Sequence, residues 1–176
     1  MVWITGASSG IGEHLAYALA DRGARLVLSA RDEQELARVR NNCRGSSEIL
    51  VRAFDVTDFE SIPAVVEEVT GHFGRIHLLI NNAGVSQRAQ VRETNFEVDR
   101  QIMAVNYLGP VALTKAILPH FLEQQGGHLV VISSILGKVS VPGRSAYAAS
   151  KHALHGFFDS LRAEMHDDHI PVTVIC

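Results

Sequence analysis

"VWITGASSGIG", residues 2–12, passes from a four-residue apolar run into a turn with glycines at 6, 10 and 12. Beyond the turn, Ile11, Leu15, Ala18 and Leu19 recur at three- and four-residue spacing. The apolar run predicts a buried strand and the spaced residues an amphipathic helix. Glycine lets a backbone turn tightly and approach a ligand closely, and the helix that follows offers unpaired N–H groups and the positive end of its dipole to a phosphate. The stretch therefore predicts strand, phosphate cradle, helix. It is neither G-x-G-x-x-G nor a P-loop, since Ile11 and Gly12 stand where a P-loop needs Gly and Lys. Gly6-Ala7-Ser8-Ser9-Gly10 also satisfies G-x-S-x-G, which would make Ser8 the nucleophile of a serine hydrolase. That elbow needs an oxyanion loop from an earlier strand, and here the motif follows the first one.

The same rhythm continues along the chain. Short apolar runs at "RLVLSA" (25–30), "ILVRAF" (49–54), "IHLLI" (76–80), "HLVVIS" (128–133) and "VTVIC" (172–176) alternate with helical patterns such as Ile62, Val65, Val66, Val69. Near-continuous apolar strands suit a parallel sheet covered on both faces, so the expected fold is α/β: a Rossmann-type doubly wound sheet of six strands in three layers, α/β/α. Ligands of such sheets bind beyond the carboxyl ends of the strands.

Composition narrows the function. The chain has 176 residues, 47% of them hydrophobic and 20% charged, which suits one domain over 1–176. A formal net charge of −3 without a basic run argues against nucleic acid. Cys43 and Cys176 make neither a disulfide framework nor a zinc pattern, which fits a reducing compartment. His152 and His155, like His166 and His169, sit one turn apart with no carboxylate or cysteine to complete a ligand set, so no metal is expected. No run approaches eighteen apolar residues and no leader pattern opens the chain, so as written it reads as soluble and cytoplasmic, without a membrane segment. An endoplasmic-reticulum membrane association would require an N-terminal anchor ahead of this stretch.

"SAYAASKHAL" (145–154) sets Tyr147 and Lys151 four residues apart in a helical pattern, hence on one face. A free phenol, with a pKa of about 10, is a poor base near neutrality. A cation about 5 Å away at an effective dielectric of about 20 favours phenolate by roughly 3 kcal/mol, or about two pKa units. The pair reads as a tuned acid–base.

With "TGASSGIG" (5–12), "NNAG" (81–84), "NYLG" (106–109), "ISS" (132–134) and "YAASK" (147–151) in this order, the chain resembles the short-chain dehydrogenase/reductase family over its whole length. "VPGRSAYAASKHALHGFF" is most similar to its member 7 group. The resemblance implies a nicotinamide cofactor and hydride transfer to or from the carbonyl of a small molecule, with a steroid, retinoid or other lipid-like ketone or aldehyde expected. Tyr147 would be the general acid and base, Lys151 would also hold the ribose hydroxyls, Ser134 would hydrogen-bond the substrate oxygen, with Ser133 as its decoy, and Asn106 would anchor a water in a proton relay. Gly109 and Pro110 should bend the helix that carries Asn106. Cofactor contacts would come from Gly6, Ser8, Ser9, Gly10, Ile11, Gly12, Asn82, Ala83 and Gly84, with Asp55 and Val56 at the adenine and Asp58 read as a helix cap.

At "LSARDEQEL" (28–36), Asp32 and Glu35 resemble a capping box, which leaves Arg31 for a 2′-phosphate and predicts NADP in preference to NAD. The resemblance also implies a substrate loop and a seventh strand after the sixth strand, in which Cys176 falls; the chain as written lacks them. A cofactor-binding or regulatory protein without turnover is the alternative. Pairing into a homodimer or homotetramer is expected through helical segments at about 96–122 and 147–166, where Leu154, Phe157, Phe158 and Leu161 suggest surplus apolar surface.

Overall fold

The structure is a computed structural model describing residues 1–46 and 48–176. Six parallel strands are ordered β3-β2-β1-β4-β5-β6: β1 (Val2–Thr5), β2 (Leu26–Ser29), β3 (Ile49–Val51), β4 (Leu78–Asn81), β5 (His128–Ile132) and β6 (Val172–Ile175). The order runs outward in both directions from β1 and β4, so a crevice opens between their carboxyl ends.

Side-chain alternation along each strand builds two cores. Ile4, Leu26, Leu28, Ile80 and Val130 face α1 (Gly10–Ala20) and α2 (Glu33–Asn42), where Ala16, Leu36 and Val39 meet them. Trp3, Val27, Leu79, Leu129 and Val131 face the other way, against α3 (Ile62–Phe73), α5 (Gly109–Glu123) and α6 (Ser145–Glu164). The three-layer α/β/α sandwich expected from the apolar runs is what forms.

Two local expectations are corrected. Strand β3 ends at Val51, although Arg52 N and Phe54 N still donate to the carbonyls of Leu28 in β2 and of Ala30 just beyond it. Asp58 is not the cap of the next helix: it lies in a turn and its Oδ1 accepts from Ser61 N at 3.4 Å, while Ser61 holds the capping position of α3. Gly109 and Pro110, expected to bend their helix, stand directly after an irregular turn in it. From α4 (Phe96–Met103) the chain passes through one π turn, Ala104–Leu108, into α5, and Pro110, which has no N–H to continue the ladder, comes two residues after that turn. The joined helix Phe96–Glu123 is long and apolar enough by composition to cross a membrane. Here Leu113, Ile117 and Phe121 are fully buried against the sheet.

Leu154, Phe158 and Leu161, read from the sequence as surplus surface, belong to the core beneath α6. Only Phe157 is half-exposed, edge-on to Tyr107 with ring centroids 6.4 Å apart.

Candidate active site

The turn after β1 and the loop after β4 are one built unit. Thr5 Oγ1 accepts from Asn82 N at 3.0 Å and Ala83 N at 3.1 Å, and Asn82 Nδ2 returns bonds to the carbonyls of Thr5 (3.0 Å) and Gly6 (3.1 Å). This packing explains two glycines. Gly6 has φ +63° and a Cβ there would lie 2.8 Å from Ala83 Cα, while a Cβ on Gly12 would overlap the Gly6 carbonyl. Thr5 is a site residue that sequence reasoning passed over, and its place just before the first glycine was the available signal.

A cleft of about 730 Å³ opens over this unit. Ten residues expected at the cofactor line it: Gly6, Ser8, Ser9, Ile11, Arg31, Asp55, Val56, Asn82, Ala83 and Gly84. Gly10 and Gly12 do not; they shape the turn beneath. Ala30, Asp32, Phe54, Val85 and Val105 complete the wall. A volume of this size lies in the range of cofactor-sized sites, about 300–1,000 Å³.

The charges at its far end divide as the sequence suggests. Asp32 caps α2, its Oδ1 accepting from Glu35 N at 3.0 Å, and Arg31 is exposed on the cleft wall. Asp55 holds its own turn, accepting from Thr57 N (2.9 Å) and Thr57 Oγ1 (2.8 Å). Ser8 is no hydrolase nucleophile in this geometry: among the described residues no histidine bonds its hydroxyl.

Helix α6 brings up the acid–base pair. Tyr147 is half-buried, and Lys151 Nζ lies 5.8 Å from its ring centroid. Lys151 is 5% exposed and donates to Ile132 O at 2.7 Å. The same nitrogen is 3.8 Å from where a Cβ on Gly84 would sit, which joins the pair to the cleft wall. Burial pushes the Lys151 ammonium down to about 8. The assistance expected from a permanently charged lysine is therefore weaker in alkali than the sequence suggests.

The two serines separate cleanly. Ser133 Oγ is buried, 3.1 Å from His155 Nε2, and also donates to Lys151 O at 3.4 Å. Ser134 is half-exposed and its Oγ accepts from Leu136 N at 3.2 Å, and among the described residues its hydroxyl hydrogen has no acceptor. Asn106 is completely buried in the π turn. Its Oδ1 accepts from Val85 N at 2.8 Å, and its two amide hydrogens go to Val85 O (2.9 Å) and Ser150 Oγ (3.0 Å). A water relay through Asn106 thus has only the second lone pair of Oδ1 and the main chain to use.

His155 Nδ1 also lies 3.9 Å from Asp159, and His152 Nδ1 bonds Ala148 O. Among the described residues no three histidines, cysteines or carboxylates gather as a metal would need.

The sequence profile of the short chain dehydrogenase family matches residues 1–176. The chain is 49% identical to human dehydrogenase/reductase SDR family member 7 over 170 residues, covering 94% of this chain and 50% of that protein. Mouse dehydrogenase/reductase SDR family member 7B is 48% identical over 180 residues, covering 99% and 56%. Thus the chain spans about half the length of the curated relatives it matches. Among solved structures, a metagenomic short-chain oxidoreductase in complex with NADP superposes with a TM-score of 0.93 at 33% identity, over 99% of this chain and 80% of that one.

Proposed function

The chain belongs to the short-chain dehydrogenase/reductase family, and on that premise we propose that it serves an NADP-dependent oxidoreductase interconverting a carbonyl and an alcohol on a hydrophobic small molecule, of the steroid, retinoid or lipid-like class. One observation carries the reading: the phosphate-type turn, the Asn82–Gly84 loop and Arg31 share a single cleft, and Lys151 abuts its wall at Gly84. A nicotinamide bound there supplies or accepts the hydride.

The chain's own residues do the rest. Ser8 and Ser9, with the N–H groups of their turn, hold the diphosphate; Asp55 and Val56 flank the adenine; Lys151 holds the ribose hydroxyls. Arg31 takes the 2′-phosphate through parallel charge-assisted hydrogen bonds, which favours NADP over NAD. Support for that preference comes from Asp32, which is engaged at Glu35 N, and from the NADP held by the metagenomic relative. Tyr147 gives a proton to the substrate oxygen in reduction and takes one in oxidation, with Ser134 hydrogen-bonded to the same oxygen and the Lys151 cation favouring phenolate. Asn106 stiffens the loop behind Gly84.

The test follows NADPH oxidation by the intact protein against a panel of hydrophobic ketones and aldehydes. Tyr147→Phe is expected to lower turnover by about 10²–10⁴-fold while NADPH affinity is unchanged. Activity retained in Tyr147→Phe overturns the acid–base assignment. Tight NADPH binding with no turnover on any substrate supports the non-catalytic alternative.

A further inference from the structure

Behind the phosphate-type turn stands an arginine that no motif singles out. Arg38, on α2, uses all three guanidinium nitrogens: Nε to Glu35 Oε2 (2.7 Å), one terminal nitrogen to Glu13 Oε1 (2.7 Å) and the other to the main-chain oxygen of Ser8 (3.1 Å). Glu13 is itself fixed from a second side by the Tyr17 hydroxyl, 2.7 Å away. The hydrogen bonds from Arg38 and Tyr17 push the Glu13 carboxyl down to about 2, so the anchor stays charged at any working pH.

In a trans peptide the N–H points opposite to the C=O. The Ser8 carbonyl is turned toward Arg38, which is not part of the cleft lining, whereas Ser8 and Ser9 are. Among the described residues the Ser9 N–H has no hydrogen-bond partner. The geometry points to Arg38 as a positioning residue that fixes the orientation of the Ser8–Ser9 peptide, keeping a carbonyl away from the cleft and an N–H donor facing the diphosphate of the cofactor. A flipped peptide would set a lone pair against that anion and withdraw the donor. The inference rests on the nicotinamide-nucleotide reading of the cleft and adds that affinity for the diphosphate, which NADP and NAD share, is set from α2.

Calorimetric titration of the intact protein with NADPH and with NADH tests it, using wild type, Arg38→Met, Glu35→Gln and Arg31→Ala. Arg38→Met is expected to weaken both nucleotides equally, by about tenfold, the loss of one oriented donor to an anion. Turnover at saturating cofactor should be unchanged, so that KM for the cofactor moves and kcat does not. Glu35→Gln, which removes only the ion pair along α2, should bind as wild type does, and Arg31→Ala should lose affinity for NADPH alone. Unchanged affinity in Arg38→Met overturns the role of Arg38; so does a loss confined to NADPH, which would put Arg38 on the 2′-phosphate itself. If Arg38→Met does not fold, Arg38→Lys, which keeps the charge but lacks the three-pronged reach, should show the same equal loss, and wild-type affinity in it overturns the proposal. Wild-type protein that binds neither nucleotide overturns the cleft reading instead.

Discussion

Lys151 has two demands on it that pull in opposite directions. The acid–base role calls for a cation beside Tyr147, yet the side chain is 5% exposed, with the Ile132 carbonyl its one hydrogen-bond acceptor among the described residues, and burial pushes its pKa down to about 8. Below that value the folded protein must keep a charge out of water, a cost that is fully present at neutral pH. Between about 8 and the unfolded value of about 10.4 the unfolded chain binds more protons than the folded one, so stability rises with pH in that window. Without cofactor, Lys151→Met is therefore expected to resist urea better than wild type at pH 7, with the difference shrinking by pH 10. A difference independent of pH would mean that the ammonium is hydrated after all.

The helix that runs past the site is tied to its neighbours by one side chain. Asn106 sits where the α4–α5 helix widens into a π turn, and its amide makes three bonds, two to the main chain of Val85 and one to Ser150. These tie the helix to the loop that continues from Gly84 and to α6 between Tyr147 and Lys151. Gly109, one turn on, packs against Val56, where a Cβ would come within 2.9 Å of the Val56 carbonyl. Asparagine within a helix is expected to bond locally or face solvent; this one bonds across three elements, which the spacing of "NYLG" does not disclose. Asn106→Ala leaves the N–H and carbonyl of partly buried Val85 without their side-chain partner, while the Ser150 hydroxyl keeps its bond to Tyr147 O, and should cost about 1–3 kcal/mol in urea unfolding, even in the absence of cofactor. A cost below about 1 kcal/mol would show that water replaces the amide, leaving the relay role as the reason for the residue.

For the molecule as a whole, the core under α6 consumes most of the apolar residues that suggested a partner, so the argument for self-association moves to α5 and its π turn. Leu108 and Leu122 are 43% and 42% exposed there, with half-exposed Phe157 of α6 also on the surface. Light scattering of the intact protein is expected to show a dimer or tetramer, and Leu108→Glu with Leu122→Glu should shift it toward monomer; a strictly monomeric wild type would remove the interface. The strand and helix rhythm, the doubly wound sheet, the phosphate-type turn, the spacing of Tyr147 and Lys151 and the freedom of Arg31 beside a capping Asp32 were all determined by the amino-acid sequence. Each depends on local periodicity, on glycine's conformational range or on the reach of a side chain to its own turn. Which serine is buried against His155 and which stays half-exposed, how far Lys151 is desolvated, where the Asn106 amide goes, and that Arg38 reaches the Ser8 carbonyl were decided only by tertiary structure. Those properties depend on residues 19 to 44 positions apart that meet only when the sheet is assembled, and on how much water that meeting removes.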